Sequence, residues 1–171
     1  MPKRRPVIRA SALAAAVLLL LLAAAAPAAR AQVVNGIQSC VIGAQPVVFG
    51  TVTENAAATT VGRIVLTCEG GGNNKRFTVA LSQGLSSSFL PRHMFNLNRP
   101  GADLSYNLFL DAAHTQVWGN GQGPTRVFVG TLDFGLRQEA TATLLVFARV
   151  PPQSGLAPGA YADQIIVTLV F

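Results

Sequence analysis

Tyr161–Phe171 reads YADQIIVTLVF. Ile165, Val167, Leu169 and Phe171 alternate there with Ile166, Thr168 and Val170. A period of two is the signature of a strand, and two nearly apolar faces predict a central strand buried on both sides. The run continues to the last residue of the sequence with no polar tail. Chain ends ordinarily fray, so this one is expected to be tied into a sheet. Working back along the chain, Val61–Cys68 (VGRIVLTC) sets Val61, Arg63, Val65 and Thr67 on one face and Ile64, Leu66 and Cys68 on the other. Glu69–Asn74 is a glycine- and asparagine-rich turn, and Arg76–Ser82 (RFTVALS) is the next strand. The two strands are expected to form a hairpin. Further strand-like runs are Cys40–Ile42, Val47–Phe49, Leu104–Leu110, Arg126–Leu132 and Ala140–Val150. No helical apolar period of useful length appears after residue 31. Short strands punctuated by Gly, Pro, Asn and Ser predict an all-β fold, an antiparallel β-sandwich.

Half of the 171 residues are apolar, mean hydropathy is +0.42 and only 12% are charged, which excludes a disordered chain. The net charge of +6 is unevenly placed. Residues 1–31 contain Lys3, Arg4, Arg5, Arg9 and Arg30 and no acid, which leaves +1 for residues 32–171. A chain with so little net charge beyond residue 31 offers no basic stripe for nucleic acid. The first 31 residues have the parts of a secretory signal: the basic segment MPKRRPVIR, an apolar run from Ala12 to Ala26, Pro27, and the small residues of Ala29-Arg30-Ala31. Cleavage is expected between Ala31 and Gln32, with no membrane insertion afterwards. The rival is an uncleaved anchor, because no charge lies between Arg9 and Arg30. Arg4–Arg9 also partly resembles a twin-arginine signal.

The two cysteines, Cys40 and Cys68, favour one disulfide in an exported chain. Their spacing does not suit zinc, and His93 and His114 lie away from them. No glycosylation sequon is present. The glycine-rich tip before Lys75 lacks the spacing of a phosphate loop. A nucleophile elbow, a zinc-protease pair and a dinucleotide fingerprint are likewise missing from the sequence. Asp103, Asp111, Asp133 and Glu139 read as turn residues. Trp118, Tyr106 and Tyr161 read as packing residues rather than sugar-stacking platforms. The expectation is a chain that is not an enzyme and takes no cofactor or metal.

A set of motifs, in order, carries a family resemblance: Cys40 with Phe49-Gly50, GRIVLTC ending at Cys68, FTVALSQG from Phe77, and Pro91-Arg92-His93-Met94. LSYNLFLDAAHTQVWGNG from Leu104 and RVPPQSGLAPGAYADQIIVTLVF to Phe171 complete it. Together they cover Cys40–Phe171, and this stretch resembles the spore coat protein U domain, the subunit type of archaic (Csu-type) chaperone–usher fimbriae.

The resemblance implies an incomplete immunoglobulin-like sandwich that lacks its final strand. An open edge of that kind must be covered. The family's implied route is cover by a periplasmic chaperone, then by the N-terminal segment of a neighbouring copy at an outer-membrane usher, through strand addition. On this reading residues 1–31 are the signal, 32–39 the donor segment with Val33, Val34 and Ile37, and 40–171 the pilin-like domain. Ile165, Val167, Leu169 and Phe171 line the groove and contact the chaperone, and Cys40–Cys68 pins the first strand to the next. The implied role is a structural subunit of a surface fimbria or coat serving adhesion or biofilm formation. The alternative is a tip adhesin or a carbohydrate- or surface-binding module with a complete sandwich. Eight donor residues reach roughly 26 Å, long enough for a groove but with little linker.

Overall fold

A computed structural model describes residues 35–171, and the expected leader, the cleavage site Ala31–Gln32, and Val33 and Val34 lie outside those residues. The described chain is all-β. Its strands are β1 (Gly36–Gln45), β2 (Ala58–Gly71), β3 (Lys75–Leu81), β4 (Arg92–Asn96), β5 (Asp103–Phe109), β6 (Phe128–Leu132), β7 (Glu139–Val150), β8 (Tyr161–Ala162) and β9 (Val167–Val170). They form one sheet in the order β1-β2-β7-β5-β4-β8 and a second in the order β6-β3-β9, with every strand pair antiparallel.

The alternation in β2 and β3 decides how the sheets meet. Ile64, Leu66 and Cys68 of β2 and Phe77, Val79 and Leu81 of β3 are all buried. Each strand has one apolar face, and the two faces meet across the core. The expected β2–β3 hairpin is therefore corrected: the turn after Gly71 carries the chain from one sheet to the other, and β2 pairs with β1 and β7 instead. Val47–Phe49, expected as a strand, is irregular chain packed on the core, and β4 is a strand that hydropathy alone did not reveal.

Two buried groups fix the closed side of the sandwich. Trp118 is fully buried, and its Nε1 donates to the Val79 carbonyl at 2.9 Å. Arg92 is also fully buried. Its guanidinium donates to the Ser82 carbonyl (3.0 and 2.8 Å), the Trp118 carbonyl (2.7 Å) and Asn107 Oδ1 (2.7 Å), and it lies over the Phe89 ring. A buried cation is costly unless its donors are satisfied, and these acceptors satisfy them. Burial pulls its pKa below the usual arginine value, to about 10, against the opposing pull of Tyr106 and Asp163.

Candidate functional site: an open groove between two sheet edges

The last strand is not central, as its two apolar faces predict, but an edge. β9 pairs with β3 on one side, and among the described residues nothing pairs with the other. The second apolar face misleads because Ile166 and Val170 point outward and are more than half exposed. The first face points inward. Ile165, Val167 and Leu169 pack partly against the core, while Phe171 at the end of the chain is 54% exposed.

Hydrogen-bond direction follows from the same alternation. The Ser82 amide donates to the Ile166 carbonyl (2.9 Å), and the Ile166 amide donates to Ser82 Oγ (2.9 Å), so Ile166 faces β3. Successive residues of a strand turn their backbone groups to opposite sides. The backbone groups of Val167 and Leu169 therefore face the unpaired edge.

Facing β9 across the sandwich is β1, the edge of the other sheet. Cross-strand partners share a face, so Ile42 opposite Leu66 and Ala44 opposite Ile64 both point inward. Leu66 is fully buried and Ile64 is 3% exposed, yet Ile42 is 38% exposed and Ala44 is exposed. Inward-facing side chains on both edges thus lack a covering layer. The space between them is an open cavity of about 330 Å³ lined by Ala44, Val47, Phe49, Met94, Ile165 and Val167 among others. A second cleft of about 690 Å³ shares Val47, Phe49, Met94 and Tyr161 with it and continues past Val52, Leu156 and Pro158. The sandwich is incomplete by one strand at this place.

Polar contacts hold the mouth of the groove in shape. Tyr106 Oη donates to Asp163 Oδ2 (2.6 Å), and Asp163 Oδ1 accepts the amides of Leu85 (2.8 Å) and Gln164 (2.7 Å). Burial first, and then the bond to Asp163, raises the Tyr106 pKa well above its usual value, so the phenol stays a donor. Gly84 has φ +76°, and a Cβ there would strike the Asp163 carboxylate. Only glycine lets this turn close on the carboxylate in the connection that leads into the last strand. The sequence signal for these partners is the motif text itself, since hydropathy says nothing about Tyr106, Asp163 or Gly84.

The Cys40–Cys68 disulfide is present and joins directly opposed residues of β1 and β2. Ile37, expected in a donor segment, lies in β1 opposite Gly70 and packs partly against the core. It stands ahead of a register shift between Ile37 and Ser39 that leaves Gln38 as a bulge. The groove residues are thus brought together for Ile165 and Val167, with Leu169 further along and Phe171 at the open end.

Among the described residues the histidines do not form a relay. His93 Nδ1 lies 3.2 Å from Asp103 Oδ2 and 3.5 Å from Ser105 Oγ, so both partners compete for one ring nitrogen on the surface. A relay needs one on each nitrogen. Among the described residues no group of three or more His, Cys, Asp and Glu is placed to hold a metal ion. Trp118 and Tyr106 are buried, and Tyr161 is half-buried with its Oη donating to the Ala157 carbonyl (2.6 Å).

Among solved structures, the crystal structure of the CsuC–CsuE chaperone–tip adhesion subunit pre-assembly complex from archaic chaperone–usher Csu pili of Acinetobacter baumannii is similar to this chain. The match has a TM-score of 0.53 at 20% sequence identity, and it supports the fold. It covers 78% of this chain, which spans 40% of the length of that one. No curated protein matches the chain. The sequence model of the Spore Coat Protein U domain matches residues 24–168, starting within the expected leader and ending inside β9. By that match over most of its length, the chain belongs to the Spore Coat Protein U domain family.

Proposed function

We propose that this chain is an exported structural subunit of a surface fimbria or coat, assembled by donor-strand exchange and serving adhesion or biofilm formation. One observation carries the reading. Ile42 and Ala44 on β1, Val167 and Leu169 on β9 and Ile165 just before it face inward but stay only partly covered beside an unpaired strand edge. An added strand pairs with the backbone of Val167 and Leu169 and covers those side chains at once. A periplasmic chaperone supplies that strand in transit, and an outer-membrane usher exchanges it for the donor of another copy or a related subunit. The solved neighbour, a chaperone bound to a tip adhesion subunit, is an assembly of the same kind.

Residues 32–39 are the donor, with Val33, Val34 and Ile37 as its apolar members. Ile37 serves only when the head of β1, before the bulge, leaves Gly70. The disulfide holds the remainder of β1 on β2, so the donor ends at the residue before Cys40. Signal cleavage before Gln32 frees this segment. Phe171 extends the contact strand at the far end of the groove.

The test is behaviour without and with a donor. The mature chain alone is expected to aggregate and to become soluble with a chaperone or with a synthetic peptide spanning residues 32–39. A stable monomer with cooperative unfolding and no response to peptide sinks the incomplete-fold reading and favours a self-sufficient binding module. Deleting residues 32–39 is expected to leave an acceptor that caps fibres but cannot extend them; fibres built from that variant alone remove the donor role.

A further inference from the structure

The most exposed large apolar side chain among those described is Leu136, at 103% relative exposure. It sits on the loop between β6 and β7, next to Arg137, and no ion pair of Arg137 is formed among the described residues. The loop is not loose. The Phe134 amide donates to the Gly72 carbonyl (3.1 Å), and the Gly70 amide donates to the Gln138 carbonyl (2.9 Å). The end of β2 also stays paired with β7, up to Glu69 opposite Glu139, whether or not the head of β1 leaves as donor. Leu136 is therefore held out at the end of the sandwich where the described chain begins.

The opposite end carries the larger cleft, about 690 Å³, with Val47, Val48, Val52, Met94, Leu104 and Leu156 in its lining and Glu54 at its wall. Glu54 uses one carboxylate oxygen to accept the Leu156 amide (2.8 Å) and is otherwise exposed. The two ends are separated by the length of β2, whose 14 residues span roughly 45 Å. Leu136 cannot reach the cleft of its own molecule.

Strand direction brings the two features together in a neighbour. β9 runs from the cleft end toward the Leu136 end, since Val167 pairs with Leu81 and Val170 with Thr78. A donor antiparallel to β9, the more stable pairing, runs the other way and leaves the groove at the cleft end. It then joins its own β1, which the disulfide fixes at Cys40, with no intervening linker. The Leu136 end of one copy must abut the cleft end of the next.

Resting on the donor-strand reading, we propose that Leu136 docks into the Val47–Val52/Leu156–Tyr161 cleft of the adjacent copy, with Arg137 against Glu54. The contact is heterologous and does not close on itself, so it repeats along a fibre. It gives the junction between copies a second point of attachment beyond the donor strand and limits their swivelling.

The experiment places a photo-crosslinking amino acid at position 136 of the full chain, assembled with chaperone and usher. Crosslinks are expected between copies, mapping to residues 47–52 and 156–161. Leu136→Asp is expected to leave the melting of the donor-peptide-bound monomer unchanged and to lower fibre yield about tenfold, the loss of one buried leucine. Normal fibres whose crosslinks fall elsewhere, or whose yield ignores Leu136→Asp, overturn this contact and leave donor exchange standing. Failure of the unmodified chain to form any fibre overturns donor exchange and the contact with it.

Discussion

β2 and β9 carry the same kind of sequence and meet different fates. In VGRIVLTC the inward residues Ile64, Leu66 and Cys68 are no more than 3% exposed. In IIVTLVF the inward residues Ile165, Val167 and Leu169 are only partly buried, and the last of the series, Phe171, is 54% exposed. Alternation assigns side chains to a face; it does not supply the neighbours that cover them. β2 has a strand on each side and β3 across the core, whereas β9 has β3 alone and a void opposite. Nor is the difference one of hydrophobicity, since the β9 run is the more apolar of the two. Among the described residues one side of the sandwich is closed within the chain and the other is left open.

The largest effect that separates the two sides is expected from Arg92→Met. The change leaves the carbonyls of Ser82 and Trp118 without a donor beside a fully buried position, while Asn107 Oδ1 keeps only the Leu108 amide. Each orphaned group costs about 1–3 kcal/mol, so a loss on the order of 4 kcal/mol is expected from chemical unfolding of the donor-bound protein. A loss under 1 kcal/mol would show that the closed side does not depend on this hub.

A paired truncation sharpens the contrast further. Leu66→Ala removes a fully buried side chain and is expected to cost about 3 kcal/mol with or without a bound donor. Ile42→Ala, directly opposite on β1, is expected to cost about 1 kcal/mol in the empty groove and about 3 kcal/mol once a donor peptide covers it. Peptide-dependent melting of both variants measures this. Equal costs for Ile42→Ala in the two states would mean that no added strand reaches β1.

What the sequence made legible follows from this contrast. The faces of β2 and β3 were readable because each has one apolar and one polar side, and an apolar face has only one place to go. Their pairing was not readable, because a glycine-rich turn serves a hairpin and a sheet-to-sheet crossing equally well; only the core decides. The alternation in β9 identifies a strand but predicts a central one, because Ile166 and Val170 read as a second buried face, yet both sit in solvent. The groove was legible through the family motifs and not through periodicity. The Tyr106–Asp163–Gly84 contact joins residues far apart in the chain, and no local rule relates them. Hydropathy places Ile37 with the donor segment, and its pairing with Gly70 shows that the same residue also fits its own domain.

The smallest expected effect tests how the groove mouth is held. Tyr106→Phe removes the bond to Asp163 and is expected to cost about 1.5 kcal/mol near neutral pH, as for a hydrogen bond to a charged group. Its pH dependence distinguishes a real bond from simple packing. Burial and Asp163 raise the Tyr106 pKa, so above about pH 10 the unfolded chain loses this proton while the folded one keeps it. Stability from Tyr106 is then full below pH 10 and lost as pH rises. Arg92 has the opposite sign: its pKa is lowered to about 10 from 12.5, the unfolded chain holds the extra proton between those values, and stability from it rises with pH there. In the native protein the two trends oppose each other. Removing the phenol leaves only the Arg92 trend, so between pH 9.5 and 11 the Tyr106→Phe variant is expected to lose less stability than the parent, and the gap between them to narrow. A gap that stays constant over that interval, measured by denaturant unfolding of the donor-bound forms, would show that the Tyr106 phenol does not hold Asp163 in solution.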